Sequence, residues 1–496
     1  MDFLDPRKKQ AHRIQLMIGY ALSGIAIGLG TLILVYGAYG YSLNTKTGGV
    51  IQNGLLFVDS KPGGAAIYLN GGSQQATTSA RLVLPSGSYT LKLSKSGYHD
   101  WQRRFILNEH SIVRYVYPFL FPLKQAVTTL KTYPAQPGLI SQSPDRHWLL
   151  VQAEKPNSVG LSFDEYDTGK LKSPSQPVEL ATSLLTSPNQ PSALKDVEWS
   201  TDNNRLLLKR GYSDGNEFLV LDRQNPTNSI NLNKLFKVPF TEVALRNKKT
   251  DQVYLYNQAA KTLQIGNTID GTVADPILRG VLAFKPYGSN LVMYVTDSGA
   301  PAAQVQARIW NVDKSYPLYT FGAGTQYILD TAQFQGHSYF VAGSNADERV
   351  NLYKDPLDGI KDPTIGRARP FITLRENGAT KVSFSSNARF VAVEAGQNLA
   401  VYDLEAQEYY RYSLVPALVG PLQWMDGHRL IGTAVGHVFV IDYDSTNQQL
   451  PTVSSWDKGG LFDRDYNHLF TTSATDGTGV NLQDIDMRAG VDLPKQ

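Results

Sequence analysis

The chain has 496 residues, 42% of them apolar and 18% charged, with a formal net charge of +3 and no cysteine. That length accommodates two or three domains with cores of their own. The near-balanced charge excludes the strongly basic domain that nucleic-acid binding calls for, and the missing thiols exclude disulfides, iron–sulfur clusters, thiolate zinc and a cysteine nucleophile.

From Ile14 to Thr45 no residue is charged, and LMIGYALSGIAIGLGTLILVYGAYGY (16–41) is long enough to cross a bilayer as a helix. Arg7, Lys8, Lys9 and Arg13 precede it and only Lys46 follows closely. This bias sets an N-terminus inside the cytoplasmic membrane and the bulk of the chain outside. A cleavable signal peptide would have a shorter apolar core ending at a small-x-small site, so the expected arrangement is a tail (1–13), an uncleaved single-pass anchor (14–41) and a linker (42–53). Gly24 and Gly28 form a G-x-x-x-G, a spacing that lets two membrane helices approach and form a homodimer.

Residues 54–120 alternate in short runs punctuated by turns. GLLFVDS precedes Pro62-Gly63-Gly64, AAIYLN precedes Gly71-Gly72, RLVL precedes Pro85-Ser86-Gly87, and SYTLKLSK precedes Ser96-Gly97; WQRRFIL and SIVRYVY close the series. In SYTLKLSK, Tyr89, Leu91 and Leu93 share one face and Thr90, Lys92 and Ser94 the other, the period of a half-buried strand. Six short strands predict a small β-sandwich or barrel. The segment resembles the PEGA domain, an extracytoplasmic β module, through Ser60, Pro62, Gly64, Ala65, Pro85, Gly87, Tyr89, Gly97 and Tyr98. The middle connection, TTSARLVL (77–84), departs from the family's usual Thr-Pro. The resemblance implies a fold and an envelope setting. Tyr98, Trp101, Arg103 and Arg104 are candidates for a ligand surface, against which stands the ordinary burial of aromatic rings in a sheet.

From 123 to 490 the chain repeats itself. LISQSPDRHWLLVQAE (139–154), DVEWSTDNNRLLLKRG (196–211) and KVSFSSNARFVAVEAG (381–396) each join a strand ending near an aromatic, a polar turn and an apolar strand. Four further copies begin at 281, 331, 421 and 460, and a weaker one, EVALRNKKTDQVYLY, spans 242–256. Third strands often end in Asp, as in FLVLDR, LAVYDL and VFVIDY. Gln142, Trp199, Leu245, Phe284, Phe334, Phe384, Trp424 and Phe462 align at spacings of 38 to 57 residues, a period that fits four-stranded propeller blades. AVTTLKTY (126–133) has no blade before it and is expected beside VNLQDID (480–486), closing the ring. The segment resembles WD-repeat and Tol-type propellers in its SPD-like turns. The expected fold class is all-β apart from one N-terminal transmembrane helix: a PEGA-type sandwich followed by a propeller of eight blades, or seven if one copy is an insertion.

Gly211-Tyr212-Ser213-Asp214-Gly215 spells the G-x-S-x-G of a hydrolase elbow, which needs a strand before it and a helix after it. Here EFLVLDR follows, with the look of a strand, so the motif is expected to be a hairpin turn. The histidines include no H-x-H or H-x-x-x-H pair, and Asp463, Asp465 and Asn467 begin a calcium-loop pattern that fails at His468 and Ala474. No catalytic residue, metal or cofactor is expected. The preferred reading is a membrane-anchored, non-enzymatic platform for an envelope protein or cell-wall polysaccharide. The other is a propeller hydrolase or lyase acting on envelope glycans or peptides.

Overall fold

The computed structural model describes residues 6–38, 41–43, 50–153, 160–190, 192–362, 364 and 366–488. The chain divides into two units, one ending at Lys124 and one spanning Gln125–Ala489. Strands dominate, and beside the N-terminal helix only short helices such as Leu232–Leu235 and Pro356–Lys361 interrupt them.

In the first unit a helix spans Pro6–Ala38, with His12–Tyr36 apolar enough to cross a membrane (mean hydropathy 2.0). None of that apolar window is buried. An all-round apolar helix whose apolar window is unburied among the described residues has that surface left for lipid or another helix. Two four-stranded sheets follow. In one, Val50–Val58 is flanked by Ala80–Pro85 on one side and by Tyr41–Leu43 and Ile112–Tyr115 on the other. The second runs in the order Gly72–Thr77, Ala66–Leu69, Gly87–Ser94, Trp101–Leu107. Both sheets send alternate residues into one core, including Leu56, Val58, Ile67, Leu91, Leu93, Trp101 and Leu107. Leu91 and Leu93 are buried as their period predicts, and each such leucine contributes roughly 1.5–3 kcal/mol by leaving water. Gly72–Thr77 is a strand beyond the six read from the sequence. Its residues, GSQQAT, are polar and largely exposed, so no apolar period announces it.

The second unit consists of eight successive antiparallel sheets, seven four-stranded and one three-stranded. The first strands are Ile140–Gln142, Ala193–Trp199, Glu242–Arg246, Val281–Tyr287, Tyr327–Phe334, Lys381–Phe384, Leu418–Trp424 and Leu461–Phe462. All eight aligned positions of the repeat lie on these strands. The weak copy at 242–256 forms the third sheet like the others. The seventh sheet lacks a regular fourth strand; isolated bridges at Gln449 and Val453 stand in its place. Pro451, which has no N–H to give a ladder, lies between them. The eighth sheet takes its fourth strand from the start of the unit: Ala126–Tyr133 pairs antiparallel with Val480–Asp486, Tyr133 opposite Val480 and Ala126 opposite Asp486.

Candidate functional site

From the first sheet to the sixth, and between the eighth and the first, neighbouring sheets of the second unit share a buried core. Leu150, Leu161 and Phe163 of the first sheet pack with Leu206 and Leu219 of the second, and Tyr133, Phe470 and Leu482 of the eighth pack with Leu149 and Val151 of the first. The first strands add polar links. Gln142 Nε2 donates to the Phe462 carbonyl (3.0 Å) and Trp199 Nε1 to Ser141 Oγ (2.9 Å). The Leu245 amide donates to Glu198 (2.9 Å) and Trp424 Nε1 to Ser383 Oγ (3.1 Å). The two tryptophans that mark the repeat therefore bond to the neighbouring sheet.

The SPD-like turns have a common basis. Ser143 Oγ donates to Asp145 (2.5 Å) and accepts from the Trp148 amide (3.0 Å), and Ser200 and Ser385 repeat this with Asp202 and Asn387. Asp463 plays the same part alone, accepting from the amides of Asn467 and His468 (2.7 and 3.0 Å). It is a turn residue. The aspartates that end third strands meet a cation at the start of the second: Arg205 with Asp222 (3.2 Å), Arg389 with Asp403 (2.6 Å) and His468 with Asp484 (2.8 Å). The last pair raises the His468 pKa, since the hydrogen bond to Asp484 favours the imidazolium.

First strands of successive sheets border three neighbouring cavities that share Asp196. One, of about 980 Å³, is lined from the first to the fifth sheet, including Glu198, Glu242, Lys248, Phe284, Lys285 and Tyr287. The other two, of about 540 and 250 Å³, lie between the first two sheets and residues Trp456 and Lys458, and the last also touches Gln423 and Leu461 of the seventh and eighth sheets. Asp196, Glu198 and Asp330 are engaged in cross-links. Asp196 accepts from Ser141 Oγ (3.2 Å) and faces Lys458 (3.5 Å), and Asp330 meets Lys285 (3.0 Å) while accepting from the Phe384 amide (3.2 Å). Glu198 is pushed up by burial, although the Leu245 amide and the charges of Lys248 and Lys285 oppose the shift. Among the described residues no group of three or more His, Asp or Glu is placed to hold a metal ion. Asp196, Glu198, Lys285 and Asp330 escaped the sequence reading because a lone charge on a strand does not reveal its partner on the next sheet.

The G-x-S-x-G segment is a hairpin turn. Arg205–Tyr212 leads in and the strand Gly215–Asp222 leads out, with Tyr212 opposite Gly215. Ser213 Oγ donates to Gln190 Oε1 (2.8 Å), whose Nε2 donates to Asp214 (2.8 Å). Behind the turn, Arg210 and Glu217 face each other at 2.7 Å, 1% and 0% exposed. Glu217 also accepts from Thr186 and from Asn231 Nδ2 (2.7 Å). Burial alone would raise the Glu217 pKa; these hydrogen bonds outweigh it and hold the carboxyl below its ordinary value.

With this geometry the first unit can be placed. Residues 53–117 match the PEGA domain family. No curated protein matches the chain. Among solved structures it is similar to the propeller of Dos1, at 14% identity over 73% of this chain and 94% of that one, TM-score 0.44. It is also similar to the β-propeller domain of Myceliophteria thermophila Cps50 (Swd1), at 9% identity over 72% and 99%, TM-score 0.38. A third neighbour is an oligogalacturonate lyase in complex with manganese, at 12% identity over 73% and 98%, TM-score 0.39.

Within the PEGA domain the four ligand-surface candidates do not form one surface. Tyr98 and Trp101 are core residues, 3% and 2% exposed, and Trp101 packs against Tyr115 and Tyr117. Arg103 lies half-buried over the Tyr115 ring and donates to Tyr117 Oη (3.1 Å), while Arg104, one residue along the strand, is exposed on the opposite face. The period of two that buries Trp101 and Phe105 separates the two arginines. In the helix, a Cβ at Gly24 or Gly28 would meet nothing within 4 Å, so that face is open in the single chain. Arg13 is exposed on the helix; the side chains of Arg7, Lys8 and Lys9 lie outside the described residues.

Proposed function

We propose that the chain is a non-enzymatic binding platform. A single-span anchor with its N-terminus inside holds the PEGA domain and a closed eight-bladed propeller outside the cytoplasmic membrane. The axial cavity of that propeller takes an extended segment of an envelope protein or polysaccharide. Eight successive sheets, with the eighth packed on the first and completed by the strand at 126–133, support the closed ring. The open Gly24/Gly28 face gives the anchor a means of pairing with a second copy.

The observation that carries the reading is the division of labour in the cavity. Asp196, Glu198 and Asp330 cross-link neighbouring sheets. What remains toward the lumen is half-exposed aromatic surface at Phe284 and Tyr287 and exposed charge at Glu242 and Lys248. Flat apolar rings beside charges of both signs suit a polar chain bound by stacking and hydrogen bonds.

The test compares the detergent-solubilised full chain with its F284A/Y287A variant for binding to soluble peptidoglycan fragments, envelope polysaccharides and envelope peptides. The expected result is retention of one class of ligand, weakened at least about tenfold (roughly 1.4 kcal/mol) in the variant, with no product formed. Turnover of any of these would establish the hydrolase or lyase reading instead. Equal binding by both proteins would move the site out of the cavity.

A further inference from the structure

The PEGA domain has two outer sheet faces of different character. On the sheet centred on Val50–Val58, Leu56, Val58, Leu82 and Leu84 point into the core, which turns Leu55, Phe57, Arg81, Val83, Ile112 and Arg114 outward. Register sorts these six into two rows. Leu55 lies between Val83 and Ile112, which are 56% and 53% exposed. One step along, Phe57 lies between Arg81 and Arg114, both exposed, and the Arg114 guanidinium sits 5.2 Å from the centre of the Phe57 ring. Asp59, next on this face, is occupied by Ser79 Oγ (2.6 Å) and the Ser60 amide (2.8 Å). The outer face of the other sheet carries Thr90, Lys92, Gln102 and Arg104 with a single strongly exposed apolar side chain, Ile106 (69%), and Lys92 there pairs with Asp100 (2.7 Å).

The same sheet is the one tied to the helix. The helix ends at Ala38, and Tyr41 begins the strand that pairs with Val50–Gln52. Three residues span at most about 10 Å, so the edge of this sheet stays within that length of the helix terminus.

We propose that this face lies on the anionic phospholipid headgroups of the membrane that the helix crosses, Arg81 and Arg114 meeting phosphates and Val83, Leu55, Phe57 and Ile112 entering the interface. This rests on the spanning reading of the helix. Two cations and a small apolar patch bind a vesicle weakly from solution, but the tether makes the encounter intramolecular and supplies a high effective concentration. Docking fixes the first module's orientation to the bilayer.

The chain contains no cysteine, so single labels are unambiguous. Val83→Cys, Gln102→Cys on the opposite sheet and Leu22→Cys in the helix are each labelled with bimane in the full chain. The labelled proteins are reconstituted in nanodiscs carrying phosphatidylcholine with the nitroxide on the headgroup, or for Leu22 deep in the acyl chain, with or without phosphatidylglycerol. The expected result is quenching at Leu22 throughout, quenching at Val83 that grows with phosphatidylglycerol, and little at Gln102. Arg81→Gln with Arg114→Gln should lower the docked-to-undocked ratio roughly thirtyfold, from the contribution each cation makes at an anionic surface. Quenching at Leu22 without any at Val83 overturns the docking and leaves the anchor standing. Quenching at Val83 independent of phosphatidylglycerol or of the two arginines overturns the headgroup chemistry, and none at Leu22 overturns the anchor and the docking together.

Discussion

Removing Glu217 leaves a stranded charge inside the second sheet. Arg210 is 1% exposed and directs Nη1 at Glu217 (2.7 Å) and Nη2 at the Ser187 carbonyl (2.6 Å). In Glu217→Ala the guanidinium keeps the carbonyls of Ser187 and Gln190 (2.6 and 3.3 Å) and loses its counter-charge, while Thr186 and Asn231 lose an acceptor. Breaking a buried pair by deleting one partner costs about 3–5 kcal/mol. Glu217→Gln keeps the shape and an acceptor oxygen, so its loss should be smaller, about 1.5–3 kcal/mol, the range of hydrogen bonds to charged groups. The double variant Arg210→Met with Glu217→Leu removes both charges and fills the space with apolar atoms, so it should lose less than Glu217→Ala alone. The assay is urea unfolding followed by tryptophan fluorescence, because Trp148, Trp199, Trp310, Trp424 and Trp456 all lie in this unit. With a slope near 3 kcal/mol per molar urea, the midpoint of Glu217→Ala falls by about 1–1.7 M. At pH 7 the pair acts in full: the folded pKa is depressed, so its contribution exists above the ordinary carboxylate value and fades only as pH falls through the lower one. An unchanged midpoint in Glu217→Ala, or a double variant as unstable as the two single ones summed, refutes the reasoning.

His428 is held at about 4 chiefly by burial, against the rings of Phe390 and Tyr443. The unfolded chain takes up its proton first, so stability should fall from pH 6.5 toward pH 4 by up to about 3 kcal/mol. His428→Gln should flatten that slope in thermal melts at pH 7 and 4.5. Tyr133 Oη donates to Asp164 (2.8 Å) and ties the closing strand to the first sheet; Tyr133→Phe should cost about 1–3 kcal/mol, read as a lowered melting midpoint, because Asp164 and Tyr166 lose a buried partner. Gly459 has φ +80, and a Cβ there would sit 2.3 Å from the Gly432 carbonyl oxygen between the seventh and eighth sheets. Gly459→Ala should therefore cost more than Gly396→Ala, which shares the left-handed backbone but meets open space and should lose only about 1 kcal/mol.

What the sequence disclosed were features stored locally. SYTLKLSK shows its buried face because a strand's period is two, and the Ser-x-Asp turns show themselves because Ser143, Asp145 and Trp148 close their hydrogen bonds within six residues. The partner of AVTTLKTY was legible because every other outer strand had a blade before it. The Gly211–Gly215 segment was decided by its flanks, since EFLVLDR continues as a strand. What stayed hidden depends on register or on a neighbouring sheet. The terminal aspartates were visible, but Arg205 opposite Asp222 is a fact of pairing. Tyr98 and Trp101 looked like a binding surface because the sequence does not say which face of WQRRFIL the second sheet covers.

The cavity's charges separate stability from recognition. A carboxylate that accepts an amide from the adjoining sheet, as Glu198 does from Leu245 and Asp330 from Phe384, holds two sheets in register, and its loss strands a buried N–H. Such residues cannot change freely with the ligand. Glu242 and Lys248 border the same space, exposed and without that duty to a neighbouring amide, so on the proposed reading they are free to set what enters, whereas Phe284 and Tyr287 also pack on Tyr256 and Phe340. Substituting the first group should lower melting temperature and weaken binding together, whereas substituting Glu242 or Lys248 should change affinity at constant melting temperature. On the proposed reading a closed ring makes this division possible: the cross-links keep the wall rigid, and a rigid wall lets a few exposed side chains define a site.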